Sequence, residues 1–359
     1  MTLHLYTPYH EDALAAGTAG YNPGQAARRQ MASRWVLPAL WATEGDAVLR
    51  PDDAESSGAA FVRQGVKWVS PADLRYLHPD AISPWGWDAR TAAWLRRSGI
   101  DERLLPDAER LDALRELSSR RTTVRLLPRL RQLLPDTVGE ARWCESEEAV
   151  WQAVRDWGTV MLKAPWSCSG RGVFPLTREA KERDITRLRH LLQKQRAIEA
   201  EPIYERRTDF AMEFFAADRQ VHYRGLSVFR TVRVGEYAGN WVAPEARLQK
   251  LLPANVQEML PRLRQVLCTE LGALLGDTYE GPLGVDMMVT TDAAGHEQLH
   301  PCIEVNLRPT MGYAAVAAYE RFRPEGLCLF NPDAELPGEL CQSLPLDHLT
   351  NSSKSVNHK

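Results

Sequence analysis

The chain has 359 residues, with 44 Lys and Arg against 47 Asp and Glu, a net charge of −3, and is 44% hydrophobic and 25% charged. That length suggests two or three structural units, because single cores rarely grow past about 250–300 residues. The near-balanced charge offers no field for nucleic acid or an anionic membrane surface, and no run approaches the ~20 apolar residues of a membrane span, so neither is expected as a partner.

The opening Met1–Tyr6 segment lacks the basic and apolar regions of a secretory signal. The six cysteines show no CxxC spacing, so they read as reduced thiols, and a cytoplasmic location is expected. Cys168 reads either as a reactive thiol or as a small residue in place of Ser. Leu3–Tyr6 is short enough for a strand. Ala26–Ala42 has helical spacing, which Pro38 should kink or end. Val66–Val69 is a second short strand, followed by Ser70-Pro71, a good helix start. Ser83–Arg90 holds two Trp and reads as ligand-recognising or as core anchors. Helices are expected over Ala89–Arg97 and Asp107–Ser118. Strands alternating with helices predict an α/β unit over residues 1–117 with a mainly parallel sheet.

A basic amphipathic helix carrying Leu126, Leu127, Leu130, Leu133 and Leu134 opens a second unit, 118–200. It continues with a helix over Glu145–Trp157 that Gly158 closes, a strand over Thr159–Ala164, and a charged helix over Thr177–Glu199. The third unit, 201–331, is strand-rich: Phe210–Phe215, Val221–Val228, Gly284–Val289 and Cys302–Asn306 fit strands, with a helix over Pro261–Leu275 whose first turn Pro261 suits. Residues 332–359 read as a loosely ordered tail. His296 and His300 sit near a hairpin loop, and no zinc site is expected there.

Three segments carry chemistry. In Lys163-Ala164-Pro165-Trp166-Ser167-Cys168-Ser169-Gly170-Arg171-Gly172, a lysine ends an apolar strand and a Gly/Ser loop follows. Loop N–H groups can wrap phosphate oxygens while the lysine adds a point charge. The pattern is neither a Walker loop nor a Rossmann fingerprint, and a plain glycine hairpin is the alternative. In the second segment, Asp286 lies in an apolar strand, where a lone charge is costly to bury. Glu304 and Asn306, two apart on another strand, share a face. Three such oxygens suit Mg²⁺, with Arg308 as an oxyanion clamp, although strand alternation also fits surface positions. The third is Glu201-Pro202-Ile203-Tyr204 through Asp209, where extended backbone can meet an adenine edge and Asp209 a ribose, or which merely joins helix to strand.

The order of these segments over about residues 118–315 resembles the ATP-grasp superfamily, above all in Glu304-Val305-Asn306-Leu307-Arg308-Pro309-Thr310-Met311-Gly312. The resemblance implies an α/β (α+β) ATP-grasp fold behind an N-terminal α/β pre-ATP-grasp domain. It places the small subdomain at 118–200 and the metal-bearing subdomain at 201–331. It assigns one or two Mg²⁺ ions to Asp286, Glu304 and Asn306, and ATP phosphates to Lys163 with a lid at Ser167, Ser169, Gly170 and Gly172. Adenine falls to Glu201 and Ile203, and ribose to Asp209. An earlier phosphate-binding basic residue falls at Arg120 or Arg121. The implied activity is a carboxylate–amine ligase working through an acylphosphate on small-molecule or peptide carboxylates and amines, with Lys163 and Arg308 stabilising developing charge. Arg230 and Arg233 are expected to clamp a substrate carboxylate or to be solvated strand charges. A small-molecule kinase and a non-catalytic nucleotide-binding module remain alternatives, and a homo-oligomer is left open.

Overall fold

The structure, a computed structural model, describes residues 1–55, 65–167, 172–232 and 236–328. Ser169, Gly170, Arg233 and the expected tail at 332–359 lie outside them. The first unit holds strands β1 (Thr2–Leu5), β2 (Ala47–Leu49), β3 (Lys67–Val69) and β4 (Ala81–Pro84), with helices α1 (His10–Ala16), α2 (Gln25–Arg34), α3 (Ala89–Arg97) and α4 (Ala108–Leu117). Its strands form one parallel sheet in the order β3-β2-β1-β4. Leu3, Leu5 and Leu95 are fully buried beside it. The helix expected over 26–42 stops at Arg34, and Leu37–Leu40 winds into a tight 3₁₀ turn with Pro38 near its start. Proline favours a first turn and disrupts a helix interior, so the break falls where its ring must be accommodated.

Helix α5 (Arg121–Leu133) follows, and then a small antiparallel sheet. The sheet comprises β5 (Arg142–Cys144), helix α6 (Glu147–Trp157), β6 (Val160–Lys163), β7 (Val173–Leu176), helix α7 (Glu182–Gln195) and β8 (Ile198–Pro202), in the strand order β5-β8-β6-β7. Val150, Val154, Leu162, Leu188 and Ile198 fill its own core. The charged helix expected to reach Glu199 ends at Gln195, with Arg196 in the left-handed region, and Ile198–Pro202 is a strand instead. Glu199-Ala200-Glu201-Pro202 pairs with β6, and tertiary pairing outweighs the helical propensity of Ala and Glu there.

The large sheet is built from β9 (Glu205–Ala217), β10 (Gln220–Val232), β11 (Glu236–Val242), the short helix α8 (Glu245–Gln249), the long helix α9 (Ala254–Leu275), β12 (Gly281–Thr291), β13 (Glu297–Asn306), α10 (Met311–Phe322) and β14 (Gly326–Cys328). Its order is β13-β12-β9-β10-β11-β14, antiparallel throughout. Leu126, Leu127 and Leu130 of α5 and Leu263, Leu267 and Leu271 of α9 share one core with Phe210, Phe214 and Val285 of the sheet. Pro261 lies inside α9 rather than in its first turn. It removes one backbone bond, while the buried stripe Val256, Leu260, Leu263 and Leu267 holds the helix on both sides of it.

Among the described residues no helix is long and apolar enough to cross a membrane. Cys144, Cys268 and Cys302 are free thiols. Because Leu130 is fully buried in the core that joins α5 to the large sheet, Leu130→Ala should lower unfolding stability by about 2–5 kcal/mol in a urea titration. A loss below about 1 kcal/mol would show that α5 does not belong to that core.

Candidate active site

Strand register gathers the acidic groups. Asp286 on β12 pairs directly with Glu304 on β13 and with Ala211 on β9, and Ala211 pairs with Ser227 on β10. Two residues along, Asn306, Gly284, Glu213 and Gly225 form the next row. Directly opposed residues in antiparallel strands project to the same face, as do residues two apart on one strand. The four oxygen-bearing side chains of Asp286, Glu304, Asn306 and Glu213 therefore share one face of the sheet. The Asn306 amide donates to Asp286 Oδ2 at 3.2 Å. Burial pushes the Asp286 carboxyl up to about 7, and repulsion from Glu304 adds to this against Arg308 and Asn306.

The facing wall comes from the small sheet. Lys163 and Glu199 are cross-strand partners on β6 and β8, with Glu201 diagonal to Lys163. Lys163 Nζ lies 2.7 Å from Glu201 Oε2. Burial works against the lysine's charge, but Glu201 and Glu199 outweigh it and raise its pKa. Glu199 is wholly buried, and desolvation lifts its carboxyl to about 7 despite Lys163 and Arg120. Arg120, the residue before α5, is 6% exposed and bridges the two walls. It donates to Glu304 Oε2 at 2.9 Å, to the Ala164 carbonyl at 3.2 Å and to Ser167 Oγ at 3.3 Å, and lies 3.6 Å from Glu199. Arg121 points away, to Glu116 and over the Trp143 ring. Of the two candidates for the early basic position, Arg120 is the one in the cleft.

Between the walls lies a cavity of about 320 Å³ lined by Arg120, Lys163, Ser167, Glu201, Ile203, Asp209, Asp286, Glu304, Asn306 and Arg308, among others. Asp209 accepts from Thr231 Oγ1 at 2.7 Å and from Arg206 at 3.3 Å. Ile203 is 49% exposed at the rim. Gly172 has φ +75°, and a Cβ there would lie 2.9 Å from the Ala164 Cβ, so glycine suits this close approach to the end of β6. Its carbonyl accepts from the Ala164 N–H. Arg230 is exposed and does not line the cavity, because strand alternation turns its neighbours Phe229 and Thr231 inward. Arg308 donates to Asn306 Oδ1 at 3.0 Å and to the Pro309 carbonyl, and forms an ion pair with Glu11 of α1. Burial alone would raise the Glu11 carboxyl, but Arg308, His10 and a backbone hydrogen bond together hold the group below its usual range.

Two cleft groups escaped the sequence reading. Glu213 is wholly buried and accepts from Thr310 Oγ1 at 2.9 Å, while its Oε1 has no hydrogen-bond partner. Gly284 and Gly312 leave room for it, since a Cβ at either would lie under 3.0 Å from a Glu213 oxygen. Its signal was a lone acid in the apolar run Phe210-Ala211-Met212-Glu213-Phe214-Phe215, the same signal that marked Asp286. Glu199, between Ile198 and Ala200, carries it too. Among the described residues no group of three or more His, Cys, Asp or Glu is gathered closely enough to hold a metal ion. The oxygen donors here are two carboxylates and one amide. The Asp286–Glu304 pair has the like-charge repulsion that a divalent cation relieves, and an all-oxygen set suits Mg²⁺, so the residues fit that ion.

No family model matches the sequence, and no curated protein matches it. The structure is similar to a biotin carboxylase–β,γ-ATP complex from Campylobacter jejuni, with a TM-score of 0.55 and 12% identity, over 97% of this chain and 72% of that one. It is also similar to the biotin carboxylase domain dimer of 2-oxoglutarate carboxylase from Hydrogenobacter thermophilus, in complex with MgADP, ADP and bicarbonate. There the TM-score is 0.52 at 13% identity, over 90% of this chain and 70% of that one. At such identities the likeness defines the architecture: a mixed α/β chain with an ATP-grasp-like fold.

Burial pushes the Glu213 carboxyl up to about 8, with Asp286 repelling it and Thr310 opposing the shift. A carboxyl raised on folding binds more protons in the native state than in the unfolded state between its unfolded value near 4.5 and about 8. Stability therefore falls as pH rises through that window. Between pH 5.5 and 7.5, urea unfolding should show wild type losing about 2 kcal/mol more than Glu213→Gln, at up to about 1.4 kcal/mol per pH unit. Equal losses would mean that Glu213 titrates normally.

Proposed function

We propose that the protein is a Mg-ATP-dependent ligase that activates the carboxylate of a small molecule or peptide as an acylphosphate and joins it to an amine or another nucleophile. One observation carries this reading: a buried lysine from one wall, and an arginine that bridges both, face two carboxylates, an asparagine and a second arginine from the other wall, around a single cavity. The nucleotide complexes of the two structural neighbours support the same use of the cleft.

In this reading Asp286, Glu304 and Asn306 would hold one or two Mg²⁺ ions, which neutralise β- and γ-phosphate charge when bound. Lys163 and Arg120 bind phosphate oxygens, and Ser167 at the loop stem adds a hydroxyl donor. Glu201, Ile203 and Asp209 hold the adenosine. The substrate carboxylate attacks the γ-phosphorus, the bond to the bridging oxygen breaks, and ADP leaves. The nucleophile then attacks the acyl carbon, phosphate departs, and the amine loses its proton. Arg308 stabilises the negative charge that develops in both steps, fixed in advance by its hydrogen bonds. Water must be kept out, because an acylphosphate hydrolyses when exposed. That task falls to the loop after Lys163. We assign the work to three units, 1–117, 118–200 and 201–331.

Mg-ATP should raise the melting temperature of the wild type, and Lys163→Ala should need at least tenfold more Mg-ATP for half of that shift. An equal response in both proteins removes Lys163 from the phosphate site. Asp286→Asn should abolish Mg²⁺-dependent ATP consumption with pooled carboxylates and amines. With hydroxylamine as nucleophile the wild type should yield a hydroxamate. A phosphorylated alcohol without hydroxamate would identify a kinase instead.

A further inference from the structure

Arg308 reaches the cleft from the turn after β13, yet its ion-pair partner lies at the opposite end of the chain. Nε donates to Glu11 Oε1, across 297 positions of sequence. Glu11 sits in the first turn of α1, which follows the first strand of the N-terminal sheet. The two side chains are 14% and 18% exposed. Nη2 of the same guanidinium donates to Asn306 Oδ1 and Nη1 to the Pro309 carbonyl. A guanidinium is a rigid planar fork, so fixing Nε fixes where both Nη atoms point.

We propose that Glu11 is a positioning residue for Arg308: the N-terminal unit holds one edge of the guanidinium, so that its other edge serves the cleft. The inference rests on the role given to Arg308 above. Without the Glu11 charge, Arg308 keeps its place next to Asn306 and stays within the electrostatic reach of Asp286 and Glu213. Opposite charges at such range attract strongly in a cleft of low dielectric. The released guanidinium then turns toward those acids and competes for the oxygens assigned to the cation. Glu11 acts through Arg308 and needs no contact with substrate. The site is thus incomplete without residues distant from it in sequence.

Two readouts test this. First, phenylglyoxal labelling of nucleotide-free protein, followed on the peptide containing Arg308, should change in rate at least fivefold in Glu11→Gln and return toward the wild-type rate in Glu11→Asp. Labelling of other arginines serves as the control for folding. Second, Glu11→Gln should raise the Mg-ATP concentration for half of the thermal shift about tenfold. In an Arg308→Ala background the same substitution should change it less than twofold. An unchanged Arg308 labelling rate overturns the proposal, and so does an equal effect in both backgrounds, which marks a purely structural contact. If Glu11→Gln does not fold, Glu11→Ser is put through the same cycle with the same criteria. A wild type that labels as expected but shows no Mg-ATP shift overturns the ligase reading alone.

Discussion

Everything in the cleft depends on an excess of buried carboxyl groups over the cations that face them. Glu199, Glu201, Glu213, Asp286 and Glu304 converge from two sheets, and Arg120, Lys163 and Arg308 answer them. Five acids against three cations leave the region short of positive charge, in surroundings where an uncompensated carboxylate is expensive. The shortfall registers on Glu199, Asp286 and Glu213, whose carboxyls are all lifted out of the normal range by burial first. Folding thus builds a place that further positive charge would relieve, with the surrounding sheets supplying the energy to keep it assembled.

The large sheet achieves this through register more than through loops. Asp286 and Glu304 come together because β12 and β13 pair at that point, and Glu213 joins them because β9 pairs with β12 at Gly284. A shift of one residue in any of these ladders would send its side chains to the opposite face, into the core formed with α5 and α9. Phe210, Met212, Phe214, Val285 and Met287, which alternate with the polar residues and are nearly inaccessible, lock the register by occupying that core. Packing on one face therefore determines chemistry on the other.

Much of this was legible in the residues. A charge in an apolar strand, two polar groups at a spacing of two and a lysine before a Gly/Ser loop are local patterns with few physical uses, and the ATP-grasp-like fold expected from their order is the fold observed. Other parts were not legible, for definite reasons. Glu199 lies where composition favours a helix, and only pairing with β6 makes it a strand residue facing Lys163. Glu213 carried the same mark as Asp286, but its neighbours Gly284, Thr310 and Gly312 are far away in sequence. The choice between Arg120 and Arg121 turned on a single helical step, which sends one into the cleft and the other to the surface. The Glu11–Arg308 pair has no sequence signature, because nothing local links a first helix to the turn after β13.

Helix α10 has a mechanical consequence. Its buried alanines at 314, 315, 317 and 318 pack in one cluster with Trp35, Trp85 and Leu37 of the N-terminal unit and with Val242 of the large sheet. Such short side chains allow intimate approach, and parting the two bodies would expose Trp35 and Trp85, large indoles that lose much on contact with water. Among the described residues, the small sheet has a separate interior that shares no side chain with the other three clusters. Parting it from the rest would divide no shared hydrophobic cluster, but it would break the ion pairs by which Arg120 joins Glu199 to Glu304.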